Sequence, residues 1–319
     1  RELERPLIIN TSVGTNSDVG FINRATQSTI WYQYGECEIA GIGNEGNTQT
    51  HASGKISSSG ETQTVEIEIE EEEEFLKIEL WICRPDRVNI KIISPTGEES
   101  KDVGLGYYKK ESGIFNFENT TYAVFYVFPT SYSGQEFITI NLYNASPGVW
   151  KINLTGVYIN SGCYNVYLPN RSLINQNTRF LEPDPFYTVN LPTVDRNIFT
   201  VGAYDMINNS MWPPSSRGPN IRNIQKPNIV APGVNIISAY PHNRYGNITG
   251  TSAAAAVTSG VAALFLQYVT QNNQYKRQGF TQSIYSFFQL GADREDNIQY
   301  PNFIYRYGLL NARKIFEEF

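Results

Sequence analysis

The spacing of hydrophobic positions changes twice along this chain, and each change marks a different kind of structure. The segments "RPLIINTSVG" from Arg5 and "CEIAGIGN" from Cys37 are short apolar runs that end in polar or glycine-rich residues. Such runs are typical of parallel strands that are buried on both faces. We expect a helix between them, at about residues 20–33. Residues 1–54 therefore have the pattern of an α/β domain.

From about residue 55 the apolar positions alternate with polar ones. In "TVEIEIEEEEEFLKIELWIC" the residues Val65, Ile67 and Ile69 point to one face, which predicts antiparallel strands with one side in water. Similar segments follow at intervals of roughly 8–12 residues, separated by turn signals. They predict an inserted all-β domain of the sandwich or jelly-roll type over residues 55–185. We expect the acidic run at residues 70–74 to be a solvated edge.

After residue 186 the pattern of an α/β domain returns. "NIFTVGAYD" predicts a buried strand, and "KPNIVAPGVNIISAY" predicts two strands joined by a Pro-Gly turn. The segment from Ala253 to Tyr268 predicts a buried helix, and "YGLLNARKIFEEF" predicts a closing helix. The fold class is therefore α/β, with a parallel sheet and flanking helices over residues 1–54 and 186–319, interrupted by the all-β insert.

The helix that begins behind Gly250, Thr251 and Ser252 raises a chemical question. Serine is a common helix cap, because its hydroxyl accepts a hydrogen bond from a free N–H of the first turn. A serine nucleophile also benefits from this position, because the partial positive charge of a helix N-terminus stabilises an oxyanion. The local pattern alone leaves both interpretations open.

Composition excludes several other classes of function. A formal net charge of −6 gives no electrostatic basis for binding nucleic acid. The three cysteines, Cys37, Cys83 and Cys163, are odd in number and widely spaced, so we expect free buried thiols without a disulfide framework or metal site. The two histidines, His51 and His242, are too few for a histidine-rich metal centre. We expect no membrane span, because no apolar run reaches about 18 residues, and no signal peptide in the first residues.

Four separated segments resemble, in the same order, the sequence blocks of the subtilisin-like (subtilase) serine protease family. "INTSVG" resembles the strand that pairs with substrate, and "AGIGNEGN" resembles the family's AAGNEG loop. "VGAYD", "SSRGP" and "KPNIVAPGVNI" resemble the VGAVD, FSSRGP and KPDIxAPGxxI blocks. "GTSAAAAVTSG" resembles the nucleophile motif GTSMAAPHVAG. Each block alone is a weak signal, but four in order are specific.

The resemblance implies a set of site residues. Ser252 is expected to be the nucleophile, and its backbone N–H together with the Asn44 side-chain amide is expected to hold the oxyanion. Two segments are expected to bind the substrate backbone and to flank the primary specificity pocket: Ser12, Val13 and Gly14 on one side, and Gly41, Ile42 and Gly43 on the other. Ile42 occupies a place where the family usually has alanine, so we expect it to narrow or alter the pocket.

The chain also departs from the family pattern. The family's catalytic Asp and His segments lie upstream of the "INTSVG" strand, and neither is present here. Neither His51 nor His242 matches the motif order of a general base, Asp205 has no family role as the orienting carboxylate, and no histidine follows Ser252 as the α/β-hydrolase order requires. Because the chain starts almost at a core strand without Met, we expect Asp and His upstream or on a different chain. The alternative is a catalytically inactive pseudoprotease that acts in germinant signalling or as a scaffold.

The nucleophile helix departs from the family motif at three further positions. Ala253 replaces the usual methionine, and Ala256 and Val257 replace the usual Pro-His pair. Because methionine beside the nucleophile is the usual oxidation-sensitive point, we expect activity to tolerate peroxide. Loss of the proline is expected to remove a rigid bend in the second turn.

The position of the insert, between Asn44 and "VGAYD", resembles the clostridial Csp proteases of spore germination. This resemblance implies a protein substrate, possibly a cortex-lytic hydrolase zymogen, together with autoprocessing and an N-terminal portion or pro-segment that stays bound. It implies a location in the spore cortex or coat region, or otherwise secretion. No cofactor is certain, and calcium is possible because subtilases often bind it. Carbohydrate binding by the β domain is a third hypothesis, which rests only on the strand pattern and scattered aromatic residues.

Overall fold

The computed structural model describes residues 6–14, 35–104, 106, 109–130, 134–195, 197–219, 224–272 and 279–317. The chain forms two compact units: Arg1–Asn47 with Phe186–Phe319, called the α/β unit below, and Thr48–Pro185, called the β unit. The helix expected at residues 20–33 lies outside the described residues.

Seventeen strands and three α-helices are present in the described chain. The strands are β1 (Leu7–Thr11), β2 (Glu36–Gly41), β3 (His51–Lys55), β4 (Thr62–Ile69), β5 (Glu73–Ile82), β6 (Arg87–Ile93), β7 (Lys109–Phe115), β8 (Thr120–Val127), β9 (Glu136–Ala145), β10 (Gly148–Tyr158), β11 (Cys163–Tyr167), β12 (Arg179–Phe180), β13 (Phe199–Asp205), β14 (Ser210–Met211), β15 (Ile229–Pro232), β16 (Ile236–Tyr240) and β17 (Arg244–Ile248). The helices are α1 (Thr251–Gln271), α2 (Thr281–Leu290) and α3 (Ala312–Glu317), with a short 3₁₀ helix at Arg171–Leu173.

The α/β unit is built on a mainly parallel sheet, as the continuous apolar runs predicted. Strands β1, β2, β13 and β15 are parallel neighbours in that order, and β14 pairs antiparallel with the end of β13. Six of the seven residues of β13 are buried, which fits a central strand covered on both faces. Strands β16 and β17 form a separate antiparallel hairpin that leads into α1.

Helix α1 packs one face on this sheet. Ala254, Ala262, Phe265 and Val269 are buried in the same core as residues of β2, β13 and β15. The opposite face is exposed at Gly260 and at Leu264. The sequence predicted a buried helix, but α1 is buried on one side only. By length and composition α1 could also cross a membrane, a test that core helices of soluble proteins pass as well. Helix α1 is longer than the apolar run from Ala253 to Tyr268 that predicted it.

The β unit consists of two antiparallel sheets. One has the strand order β12-β4-β10-β6, and the other has the order β3-β11-β5-β9-β8-β7. The inward residues of both sheets form one core, which includes Ile67, Leu80, Val124, Ile140 and Trp150. The alternating pattern therefore predicted antiparallel strands correctly, while the jelly-roll topology stays a prediction.

The β unit begins earlier in the chain than residue 55, where the sequence placed the boundary. Strand β3 belongs to it because His51 to Lys55 pair antiparallel with Tyr167 to Cys163 of β11. The sequence missed this strand because "HASGK" has no alternation of apolar and polar residues.

The expectation of three free cysteines is wrong for two of them. Cys83 and Cys163 form a disulfide, with their Cα atoms 5.5 Å apart. They lie at adjoining ends of the paired strands β5 and β11, where the Cys83 N–H donates to the Cys163 carbonyl at 3.0 Å. A separation of 80 residues along the chain gave no sign of this pairing. Cys37 is free and buried as expected, and burial raises the pKa of its thiol to about 12.

The acidic run at residues 70–74 is only partly a solvated edge. Its neighbours are exposed, but Glu73 is buried at the start of β5. The Glu73 carboxylate accepts hydrogen bonds from the Asn175 N–H at 2.8 Å and the Thr178 hydroxyl at 2.5 Å. A carboxylate with such donors can be buried, and Glu73 thereby anchors the segment that follows the 3₁₀ helix.

Candidate active site

Ser252 is an exposed residue in the first turn of helix α1. The helix cap is Gly250, whose φ is +152° and which offers no side chain to the first turn. Ser252 is the second helical residue, and it is exposed while Thr251 and Ala253 beside it are buried. The interpretation of Ser252 as the cap is therefore wrong. Because the first N–H groups of a helix have no acceptor within it, the Ser252 N–H is placed to bind an anion.

Asn44 is tied to the same helix end through one atom of its side chain. Its Oδ1 accepts hydrogen bonds from the Thr251 N–H at 3.1 Å and from the Thr251 hydroxyl at 3.0 Å. The Thr251 Oγ1 in turn accepts from the Gly43 N–H at 3.2 Å. These bonds fix the orientation of the exposed amide and leave the Nδ2 hydrogens to donate. Asn44 and the Ser252 N–H thus offer two donors at one helix terminus.

Glycine residues allow the Asn44 loop to approach the helix this closely. A Cβ on Gly41 would lie 2.7 Å from the carbonyl oxygen of Thr251, and a Cβ on Gly46 would overlap the Ser215 carbonyl. Real Cβ atoms do not come this close to backbone, so a side chain at Gly41 would push β2 and α1 apart. The glycine-rich "GIGNEGN" segment is a structural requirement for the site.

The segment "SSRGP" holds the Asn44 loop in place through hydrogen bonds. The Ser216 N–H donates to the Gly43 carbonyl at 2.9 Å, and the Ser216 hydroxyl accepts from the Glu45 N–H at 3.0 Å. Ser216 is completely buried. The "SSRGP" motif by itself did not indicate a role for Ser216. Its bonds hold the backbone on both sides of Asn44.

The first predicted substrate-binding segment lies at an exposed edge. Strand β1 pairs with β2, and no other described strand pairs with β1. Ser12, Val13 and Gly14 follow β1 and are exposed, with Val13 71% exposed. Their backbone is accessible to an extended peptide, although their role in binding stays a prediction.

In the second predicted substrate-binding segment, Gly41 to Gly43, the backbone is accessible but the Ile42 side chain is not. Gly41 and Gly43 are partly exposed, whereas Ile42 is completely buried. The Ile42 N–H donates to the Val201 carbonyl at 3.0 Å, and its carbonyl accepts from the Asn190 N–H at 3.2 Å. The Ile42 side chain therefore cannot contact a bound peptide in this structure, and the expectation that it narrows the pocket directly is corrected.

Neither histidine is placed as a general base. His51 is 2% exposed in β3, not in a surface connection as the sequence suggested, and its Nδ1 and Nε2 lie 2.9 Å and 3.0 Å from the Asp184 carbonyl and the Asn165 Oδ1. His242 is exposed in the turn between β16 and β17. Four residues of strand, about 13 Å, separate that turn from the end of β17. The carboxylate of Asp205 accepts hydrogen bonds from Ile207 and Asn208, which stabilise a turn.

Lys226 and Glu38 are two of the buried ionisable residues of the α/β unit. Lys226 is 2% exposed and its Nζ donates to the Ile198 carbonyl at 2.6 Å; burial lowers the pKa of this amine to about 7. Glu38 accepts a hydrogen bond from the Thr11 hydroxyl at 2.9 Å, and burial raises the pKa of its carboxyl. The Glu38–Thr11 bond joins β2 to the end of β1 just before Ser12. No cluster of three metal-ligating side chains occurs among the described residues, and calcium binding stays untested.

Comparisons with known proteins point to the same family as the sequence motifs. Residues 170–308 match the family model of the subtilase family. The structure of the CspB protease of Clostridium perfringens superimposes with a TM-score of 0.88 at 25% identity, over 98% of this chain and 66% of that one. The serine protease AprX of Bacillus subtilis is 37% identical over 100 residues, which are 25% of this chain and 23% of AprX. The major intracellular serine protease of the same species is 48% identical over 48 residues, 15% of each chain.

The chain spans less than two thirds of the proteins to which it is similar. It covers 66% of the CspB structure and at most a quarter of AprX and the intracellular protease. The fold over nearly the whole chain, the family match and the ordered motifs nevertheless agree with one another. This chain therefore has a subtilase-like fold and is similar to subtilisin-like serine proteases, and residues 170–308 carry the match to the subtilase family model.

Proposed function

We propose that this chain is part of a serine endopeptidase that cleaves peptide bonds through an acyl-enzyme on Ser252. One observation carries the proposal. The exposed Ser252 and the Asn44 amide, held by its Oδ1, lie together at the N-terminus of a buried helix. A serine with two donors beside it at a positive helix end has the environment that a nucleophile and its oxyanion require.

In the proposed reaction this chain supplies the nucleophile and the donors to the oxyanion. The Ser252 Oγ attacks the scissile carbonyl carbon and gives its proton to a general base. The carbonyl oxygen becomes an oxyanion that accepts hydrogen bonds from the Ser252 N–H and the Asn44 Nδ2. When the tetrahedral intermediate collapses, the base returns the proton to the leaving amine and the acyl-enzyme remains. Water, deprotonated by the same base, then releases the acid and restores the serine.

The general base and its orienting carboxylate are proposed to lie outside this chain. Both ring nitrogens of His51 are engaged, and the turn that carries His242 is far from the helix terminus. These are the two histidines of the sequence. A subtilase that hydrolyses peptides needs an Asp and a His, which we place upstream in the same protein or on a second polypeptide.

The biological setting is proposed from the likeness to the CspB protease. We place this chain in a Csp-type protease of spore germination, which acts by limited proteolysis on a protein substrate such as a cortex-lytic zymogen. A bound pro-segment, autoprocessing and a location in the spore cortex or coat belong to the same proposal. It is supported by the high structural similarity over 98% of the chain.

A fluorophosphonate probe tests the chemistry directly. The protein is purified with its natural partner polypeptides, treated with the probe and mapped by mass spectrometry. Labelling of Ser252 is expected, because the reaction needs an activated serine and an oxyanion site but no knowledge of the substrate. A Ser252→Ala variant is the control and must remain unlabelled. If Ser252 is not labelled although the Asp and His segments are present, the protein is an inactive pseudoprotease and the proposal is wrong.

A further inference from the structure

The outer face of the six-stranded sheet in the β unit carries aromatic side chains that do not belong to the core. Val124 of β8 and Ile140 of β9 point inward and lie in the core, so the alternate residues of these strands point outward. Phe75, Phe125 and Tyr143 belong to the outward set and are 48%, 37% and 39% exposed. Large apolar side chains that adjoin one another in water mark binding surfaces.

Strand register arranges the outward side chains in three rows across β5, β9, β8 and β7. The rows consist of cross-strand partners: Phe75, Tyr143, Thr121 and Ile114 in the first; Lys77, Asn141, Ala123 and Ser112 in the second; Glu79, Thr139, Phe125 and Lys110 in the third. Successive rows are about 7 Å apart, which is two residues along a strand. In the first row, the rings of Phe75 and Tyr143 are neighbours, with their centres 5.3 Å apart.

The second row is lower than the rows on either side of it. Ala123 in this row has only a methyl group and is 7% exposed, whereas the rings of Tyr143 and Phe125 stand in the neighbouring rows. The three rows therefore form a shallow groove across the sheet, called the outer groove below. The Asn141 side chain lies in its floor and is partly exposed, and the Oδ1 has no hydrogen-bond partner among the described residues. This amide gains a partner if it turns toward a molecule in the groove.

One end of the outer groove carries a cation that no described residue neutralises. The Lys110 ammonium lies 5.3 Å from the centre of the Phe125 ring and forms no ion pair in the described part of the chain. At the other end of the groove, the Lys77 ammonium is paired with the Glu79 carboxylate at 2.5 Å. The positive charge of Lys110 favours a ligand that carries negative groups.

The arrangement of the outer groove distinguishes between kinds of partner. Strands β5, β8 and β9 are each paired on both sides, so this face offers no free backbone groups to which an extended peptide could add. The charges of Lys77 and Glu79 within the face would be costly to bury in lipid, and the net charge of −6 opposes nucleic acid. A polysaccharide fits, because the C–H faces of sugar rings pack on aromatic rings while their polar groups bond to polar side chains.

We propose that the outer groove binds an acidic polysaccharide, whose sugar rings pack on Tyr143 and Phe125 and whose carboxylates pair with Lys110. This inference goes beyond the proposed function, because it assigns a second binding site that does not involve Ser252. Binding of this kind holds the protein on a glycan matrix, independently of the protein substrate that it cleaves.

Calorimetric titration of the complete protein with two hexasaccharides tests this site. One is a peptide-free strand of alternating N-acetylglucosamine and N-acetylmuramic acid, whose muramic acid units carry carboxylates. The other is chitohexaose, which has the same length and acetamido groups but no charge. We expect the acidic strand to bind about threefold more tightly than chitohexaose, the range of an exposed ion pair, and this preference should decline as salt is added.

Substitutions in the outer groove and outside it locate the binding. Tyr143→Ala should weaken the binding of both hexasaccharides by about tenfold, because it removes an aromatic ring on which a sugar packs. Lys110→Gln should make the two affinities equal. Tyr158→Ala and Lys55→Gln are the matched controls, because Tyr158 is an exposed tyrosine of the other sheet and Lys55 is an exposed lysine in β3, at the opposite edge of the same sheet. Both controls should bind as the parent protein does.

The possible outcomes separate this inference from the proposed function. Absence of binding, equal affinity of the parent protein for the two hexasaccharides, or unchanged affinity in folded Tyr143→Ala would each overturn it. If Tyr143→Ala does not fold, Phe75→Ala decides, and unchanged affinity in that variant would count against the groove. Displacement of the acidic strand by polyglutamate at equal carboxylate concentration would identify an acidic peptide as the partner and overturn the inference as well. Ser252→Ala should bind both hexasaccharides as the parent does, so a failure of fluorophosphonate labelling would refute hydrolysis and leave the groove unaffected.

Discussion

At the scale of single residues, the two hydrogen bonds from Thr251 to Asn44 determine which atom of the Asn44 amide remains available as a donor. An exposed asparagine normally turns freely and exchanges its amide oxygen and nitrogen between positions. Here the Oδ1 accepts two hydrogen bonds from Thr251, so the amide nitrogen faces away from that residue. A donor oriented before the substrate arrives costs no reorganisation when negative charge develops on the substrate oxygen.

Replacement of Asn44 by alanine should therefore affect the chemical step. We expect kcat to fall by about 10²- to 10³-fold with little change in KM, the range established for removal of this kind of donor in subtilisin. The measurement is steady-state kinetics of the complete protease on a peptide substrate. Asn47→Ala, at an exposed position in the same loop, is the control and should retain full activity. A loss that appears only in KM would show that Asn44 binds substrate and not the transition state.

Lys226 should give the protein a distinctive dependence of stability on pH. Burial lowers its pKa to about 7 in the folded protein, whereas a lysine in the unfolded chain has its ordinary pKa of 10.5. Between these values the unfolded state binds a proton that the folded state does not, so stability should increase as pH rises, by roughly 1.4 kcal/mol per pH unit. Denaturant unfolding at pH 7, 8 and 9 would measure this slope. In Lys226→Met the slope should be smaller by that amount, and parallel curves for the two proteins would contradict the prediction.

Ala253, next to the proposed nucleophile Ser252, bears on resistance to oxidation. The chain has two methionines, and Met206 is 67% exposed in the turn after β13, outside the Asn44 loop and the start of α1. We expect hydrogen peroxide to oxidise Met206 while activity is retained, because no methionine adjoins Ser252. Activity and peptide masses after treatment would be compared with those of an Ala253→Met variant. That variant should lose activity as its new methionine is oxidised; equal inactivation of both proteins would refute the prediction.

At the scale of secondary-structure elements, α1 combines two different requirements. Its buried face of alanine and larger apolar residues packs on the parallel sheet, and its first turn carries the site. Its outer face contributes little to packing, and Gly260 lies there with no atom within 4 Å of where a Cβ would be. The glycine therefore weakens the helix without a compensating contact.

Gly260→Ala should stabilise the protein by about 0.5–1 kcal/mol, because alanine restricts the unfolded chain and favours the helix. Chemical denaturation would measure the gain, and fluorophosphonate labelling should be unchanged. Gly41→Ala is the contrasting variant, because its Cβ would collide with the Thr251 backbone. It should destabilise the protein and reduce labelling. A destabilising effect of Gly260→Ala would indicate that this face of α1 is covered by something other than water.

The same scale shows how far the sequence can predict the structure. Strand β4 was predictable because Val65, Ile67 and Ile69 alternate with polar residues, and β13 because "FTVGAY" is a mainly apolar run. Ser252 and Asn44 could be predicted as site residues because their motifs are local, and their roles stay a prediction. The pairing of β3 with β11, the burial of His51 and the position of Asn190 all depend on contacts between residues more than 100 positions apart. A local pattern carries no information on such contacts.

At the scale of the whole molecule, the disulfide should be the main covalent stabilisation of the β unit. It joins residues 80 positions apart, so closing this loop in the unfolded chain removes much conformational entropy. We expect a Cys83→Ser/Cys163→Ser variant to lose about 4 kcal/mol of unfolding free energy for the β unit. Denaturant unfolding followed by the fluorescence of the buried Trp81 and Trp150 would measure the loss. Reductant should destabilise the parent protein and leave the variant unaffected; an effect on both would point to another cause.

The two ends of the β unit are bonded to each other. The Asp184 N–H donates to the His51 carbonyl at 2.9 Å, and the Phe180 N–H donates to the Gln49 carbonyl at 3.0 Å. The chain therefore enters and leaves the β unit through two neighbouring segments. Such an insert can replace a hairpin turn in the domain that carries it. An insertion of this kind is modular, because evolution can enlarge it, exchange it or delete it without rebuilding the sheet that received it.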